Sequence, residues 1–241
     1  MKKLVLFISF LFVVSLAFGQ LLINEVDSDT PSYDTAEFIE LYDGGIGNQS
    51  LDGFVVVLFN GSDDQSYLPA IDLDGYTTDA NGYFVIGSTG MGTDIEISPG
   101  SYGWLQNGAD AVALYNGDDT DFPEDTPVTT TNLIDALVYD TDDADDPGLL
   151  VLLNASEPQI NENENGNKDT ESMQRSPNGS GGARNTSTYT TDIPTTGTQN
   201  PDPPTTATLT RAYAMSTTSL DIVYDISITS VDPGDYSLTG T

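Results

Sequence analysis

Glu37-Phe38-Ile39-Glu40-Leu41-Tyr42 alternates polar and apolar side chains. A period of two is the signature of a β-strand with one buried and one wet face. The surrounding chain repeats the theme. Leu21-Leu22-Ile23-Asn24-Glu25-Val26 precedes it and ends in the turn Asp27-Ser28-Asp29-Thr30-Pro31. Phe54 to Phe59 is an unbroken apolar run, as in a strand covered on both faces or at a sandwich centre. Asn81-Gly82 leads into Tyr83-Phe84-Val85-Ile86, and Asn107-Gly108 leads into Ala111-Val112-Ala113-Leu114-Tyr115. Asn-Gly readily supplies positive φ, so each pair marks a tight entry into a strand. Leu133 to Tyr139 is a further strand, while Asp146 to Ala155 reads as a short helix start or a covering segment. Closely spaced strands with few helical patterns predict an all-β fold, an antiparallel β-sandwich.

The 241 residues carry 38 Asp and Glu against 6 Lys and Arg, a net charge of −32, with no His and no Cys. Nucleic-acid affinity comes largely from Lys and Arg displacing counterions, so direct nucleic-acid binding is excluded, and anionic membranes are disfavoured for the same reason. Without His or Cys there is no Ser-His-Asp triad, no Cys nucleophile and no ordinary zinc site. Carboxylate chemistry and hard cations bound through oxygen remain. Thirty of the acids lie between Leu21 and Asn167, a stretch with no Lys or Arg at all.

Residues 1–19 read as a signal peptide. Met1-Lys2-Lys3 is basic, Leu4 to Leu16 is apolar and too short to span a bilayer, and Ala17-Phe18-Gly19 places small residues before a cleavage point at Gly19-Gln20. No later stretch has the length of a membrane span, so the mature protein is expected to be secreted, extracellular or at the cell surface. Stability without Cys must then come from burial and ions. Residues 20–194 form the predicted sandwich domain, 195–206 a Thr/Pro-rich solvated linker, and 207–241 the start of a second β domain. Its 35 residues fall below the roughly 40 needed to bury a core unaided, so the chain is expected to be the N-terminal piece of a longer protein.

Six motifs in order resemble the lamin-tail domain, an immunoglobulin-like sandwich of nuclear lamins and many secreted bacterial proteins. They are Ile23-Asn24-Glu25-Val26, Glu37 to Tyr42, Leu51-Asp52-Gly53-Phe54, Gly82 to Ile86, Leu105 to Leu114 and Ser172-Met173-Gln174-Arg175. Asp135 to Asp140 and Gly181-Gly182-Ala183-Arg184-Asn185 are similar to the N-terminal module of large secreted nucleases, whose catalytic domain lies downstream. The tail from Ala207 resembles the first strands of a bacterial Ig-like repeat. The resemblance implies a non-catalytic module that positions downstream domains or binds a cell-surface or matrix partner. The alternative is the accessory domain of an extracellular endonuclease whose catalytic part lies beyond Thr241.

Two sets of residues stand out. Arg175, one of the few cations, is expected to form a structural ion pair with Glu25 or Glu40, holding the last segment against the first strands. The acidic loops Asp27-Ser28-Asp29 with Asp34 and Glu37, and Asp140, Asp142, Asp143, Asp145 and Asp146, are calcium candidates, because calcium takes six to eight oxygens from closely spaced carboxylates. Asp118 to Asp125 is a third such loop. None fits the twelve-residue calcium loop of helix–loop–helix proteins, so solvated loop carboxylates are the plain alternative, and a calcium-stabilised adhesion module is the functional one. A glycosidase pair cannot be singled out among so many acids, and Trp104, the single Trp, is expected in the core or on a rim near Tyr102.

Overall fold

The computed structural model describes residues 19–101 and 103–203, together with the strands 209–214 and 220–224. The predicted leader, apart from Gly19, lies outside the described residues, as do Tyr102 and the tail after Tyr224. The chain divides into two compact units between Asp202 and Pro203.

The first unit contains β1 (Leu22–Asp27), β2 (Phe38–Tyr42), β3 (Phe54–Asn60), β4 (Gln65–Asp72), β5 (Tyr83–Ser88), β6 (Ile95–Ile97), β7 (Asp110–Asn116), β8 (Leu133–Asp140), β9 (Ile160–Asn161), β10 (Ser172–Arg175) and β11 (Tyr189–Asp192). They form a six-stranded sheet in the order β11-β10-β1-β2-β5-β6 and a five-stranded sheet in the order β4-β3-β7-β8-β9. The fold is all-β, as the strand pattern predicts. Pairing is antiparallel except for β5 with β6 and β8 with β9, which are parallel, so both sheets are mixed rather than purely antiparallel. The second unit shows β12 (Leu209–Ala214) paired antiparallel with β13 (Leu220–Tyr224).

Three layers of side chains follow from the period-two pattern. Ile23, Ile39, Leu41, Phe84, Ile86 and Met173 from one sheet meet Val56, Leu58, Val112, Leu114, Leu137 and Tyr139 from the other in the central core. The opposite face of the five-stranded sheet, with Val55, Val57, Phe59, Ala111, Ala113 and Val138, is also apolar and is covered by Phe122, Leu149, Leu152 and Leu153. This accounts for the unbroken run at Phe54–Phe59: both its faces are dry. Leu149–Leu152 is a single 3-10 turn whose buried leucines seal that second core.

The opposite face of the six-stranded sheet is polar, yet it is not wet. A bulge in β1 sets Ile23 against Leu41 and Glu25 against Glu40, so Asn24 and Glu25 together oppose one residue of β2. Asn24, Glu25, Glu40, Ser172 and Gln174 are all fully buried there. Their cover comes from residues 176–180 and 193–201. The stretch from Thr195, expected as solvated linker, instead packs back: Thr195 N–H and Oγ1 donate to Glu25, Gly197 N–H donates to Glu40 at 2.7 Å, and Asn200 is 1% exposed. Buried carboxylates need donors, and this segment supplies them.

Candidate functional site

Arg175 is fully buried, but its partner is neither Glu25 nor Glu40. Its Nη2 donates to both oxygens of Asp135, at 3.0 and 3.3 Å. The reason is strand parity. Gln174 is the residue aligned with Glu25, so Arg175 points to the other face, into the central core where β8 presents Asp135. The pair bridges the two sheets. Arg175 Nε donates to Ile23 O, and Nη1 donates to the carbonyls of Ser180, Gly182 and Asn185. The guanidinium also lies 4.8 Å from the Tyr189 ring centroid. Asp135 accepts further from the N–H groups of Ile23 and Arg184. Burial pushes its carboxyl up, against the pull of Arg175 and those N–H groups. Because the guanidinium keeps its proton, the pair is ionic and fully hydrogen-bonded.

Glu25 and Glu40 instead form a polar layer under the covering segment. Glu40 accepts from Asn24 Nδ2 and Gly197 N–H, and burial pushes it up to about 8. Glu25 accepts from Ser172 and Thr195, and burial raises it as well. Asn200 Nδ2 reaches the carbonyls of Asn24 and Arg175, closing the layer.

A second group of acids lies at the end of the sandwich where β1 runs into its turn. Glu162 holds Ser28 through its N–H and hydroxyl, and burial pushes it up to about 8. Glu37 Oε2 accepts from Trp104 N–H at 2.6 Å and Leu105 N–H at 3.2 Å, while Oε1 has no partner. Burial pushes Glu37 up to about 8, helped by the negative charges of Asp34 and Asp29. Asp27 is 6% exposed with an unpartnered Oδ1; burial, then the charges of Glu162, Glu25, Glu37 and Asp29, push it up to about 10. Asp29 contacts Lys168 Nζ and accepts from Asn107 Nδ2, and Asp34 Oδ1 accepts from Thr30 N–H. Trp104 is buried in the central core, its Nε1 donating to Ser88.

The candidates at 140–146 serve their own loop. Asp140 accepts from the N–H groups of Asp142 and Asp143 and from Gln159 Nε2, Asp142 accepts from Asn161 and Asn163, and Asp146 caps Gly148 and Leu149. Asp143 and Asp145 are exposed. Among the described residues no three acidic side chains converge to hold a metal ion. Sequence reasoning named Glu37 with the Asp27–Asp34 loop but omitted Asp135, Glu162, Asn107 and Lys168 from its site. For Asp135 a signal existed: it shares the inward parity of Leu137 and Tyr139, and a buried carboxylate at such a position requires a cation or several donors.

No known family profile and no curated protein matches the chain. The site must therefore be argued from its own chemistry. A cleft of about 590 Å³ opens at the edge between β4 and β6, lined by Tyr67, Leu68, Ile97, Pro99, Trp104 and Gln106 among others, with no carboxylate in its wall. A second, of about 620 Å³, is lined by Gln20, Leu21, Ile46, Phe54 and Ile134 among others, and it too contains no carboxylate. Neither cleft has a carboxylate in its wall, and Glu37 lies directly behind the first, bonded to the N–H groups of Trp104 and Leu105 in its lining. No helix there is long and apolar enough to cross a membrane.

Proposed function

We propose that the chain is an exported, non-catalytic β-sandwich module of lamin-tail type, which positions further domains or presents a surface to a cell-surface or matrix partner. The observation that carries the reading is where the buried ionisable groups point. An active site concentrates perturbed groups in a cleft with a place for the reacting atom. Here Asp135, Glu25, Glu37, Glu40 and Glu162 each bind backbone N–H groups of distant segments, and neither large cleft contains a carboxylate. They tie the chain together.

The six lamin-tail motifs support the same reading, as does the charge, which opposes any grip on phosphate backbones. The test is to incubate the purified chain with double-stranded DNA and with RNA, in magnesium and in calcium, and to measure both cleavage and binding. The module reading expects neither. Cleavage that disappears in Glu37→Gln or Glu40→Gln, with the fold intact by circular dichroism, would overturn it.

A further inference from the structure

The end of the sandwich beside Trp104 combines excess negative charge with oxygen atoms that have nothing to bind. Asp29, Asp34 and Glu37 come from one turn between β1 and β2, and Asn107 reaches them from the loop before β7. Glu37 is fully buried, and its Oε1 has no hydrogen-bond partner. A Cβ placed on Gly103 would fall 2.1 Å from that Oε1 and 2.8 Å from Asp34 Cβ, so the unpartnered oxygen occupies the place that the glycine leaves beside Asp34. Asn107 Oδ1 is likewise buried and unpartnered, while its Nδ2 faces the Asp29 carboxylate. An amide in that orientation answers carboxylates when no cation is present; rotated by half a turn, it offers an oxygen to the same point.

We infer that Asp29, Asp34, Glu37 and Asn107 form a calcium site that Lys168 guards. Three carboxylates and one amide oxygen match the hard, oxygen-only preference of calcium, with water completing the shell. Lys168, the sole Lys after residue 3, contacts Asp29 and supplies the local positive charge. Its side chain is 36% exposed, so it has an open path to swing away. Calcium binding requires Lys168 to leave Asp29 and the Asn107 amide to turn its oxygen inward, which predicts affinity in the weak range of extracellular modules, about 10⁻⁴–10⁻³ M.

The inference is independent of the module reading: a nuclease or an adhesin could equally hold such an ion. It is tested on the full chain by two readouts. Thermal melting in calcium, against chelator, should raise Tm by about 5–10 °C at a hundredfold excess over Kd. Magnesium at equal concentration should do much less, because it demands a tight octahedron. The second readout is local: Trp104 N–H is bonded to Glu37, so terbium in this site should give emission on Trp excitation that calcium displaces.

Asp34→Asn should remove both signals while leaving the fold intact. Asp34 is only partly buried and has φ +49, which Asn accepts, and the Asn side chain can still accept from Thr30 N–H. Lys168→Gln should tighten calcium binding severalfold, because it removes the competing charge. No calcium-dependent shift, an equal shift with magnesium, or signals that survive Asp34→Asn would each overturn the site. Weaker calcium binding in Lys168→Gln would overturn the role given to the lysine.

Discussion

Replacing Arg175 with Met removes a cation that bridges the two sheets. The side chain is fully buried, so no solvent screening discounts its loss. Met fills similar volume, so the cost arises from what is left behind. Asp135 keeps the N–H groups of Ile23 and Arg184 but loses its guanidinium, and the carbonyls of Ile23, Ser180, Gly182 and Asn185 lose a common donor. Breaking a buried pair from one side costs on the order of 3–5 kcal/mol. For a unit of this size about 1 kcal/mol moves Tm by roughly 2–4 °C, so a fall of about 6–20 °C is expected. Denaturant melts of wild type, Arg175→Met, Asp135→Asn and the double variant give the coupling directly. The double variant should recover part of the loss and not all of it, since the carbonyls of Gly182 and Asn185 still lack the Arg175 donor, while Ile23 O and Ser180 O keep Tyr189 and Thr188. A single-variant loss below about 1 kcal/mol, or no coupling between the two positions, would refute the bridge.

Asn200→Ala should destabilise by about 1–3 kcal/mol, because the carbonyls it serves on Asn24 and Arg175 are left buried without a donor; a solvated linker would lose nothing, and chemical melts distinguish the two. Trp104 fluorescence in the native protein should be blue-shifted and shielded from iodide, since the ring is 4% exposed with Nε1 bonded to Ser88; a solvent-like spectrum would place it on a rim instead. Leu152→Ala should cost about 2–5 kcal/mol by opening a cavity over the outer core of the five-stranded sheet; a surface-like loss under 0.5 kcal/mol would show that the turn at Leu149–Leu152 covers nothing.

How much of this was legible in the residues depends on which physical effect decides each element. Phe54–Phe59 and Glu37–Tyr42 announce themselves because burial is written into side-chain periodicity. β4 hides behind Pro69 and exposed residues at a sheet edge, where pairing rather than hydrophobicity defines a strand. β6 and β9, with three and two residues, are too short to carry a period. Asn81-Gly82 and Asn107-Gly108 look alike, yet only the first uses positive φ: Gly82 has φ +97, and a Cβ there would strike Asp43.

The charged sites were harder for a different reason. Arg175 was recognisable as structural because cations are so scarce, but its partner depends on which face of β10 it occupies. That is fixed by a register set between strands some 150 residues apart in sequence. Glu40 sits at a position that alternation marks as wet. Only the return of Thr195–Asn200 across the sheet buries it.

The buried acids give the account its most direct test. Glu37, Glu40 and Glu162 are raised to about 8 and Asp27 to about 10, against ordinary values near 4. A folded state that holds protons more tightly than the unfolded one loses stability as pH rises from the unfolded value through the folded one. The stabilisation from these groups should therefore be full below about pH 4 and fall steadily as pH rises toward 8. Repulsion among the exposed carboxylates acts in the same direction, but 1 M salt shortens its range to about 3 Å and leaves the buried groups largely untouched. The decisive measurement is the chemical-denaturation free energy from pH 5 to 8 in 1 M sodium chloride without divalent cations. A fall that persists in salt, and that shrinks in Glu40→Gln, is what the structure predicts. A flat or rising profile would contradict it.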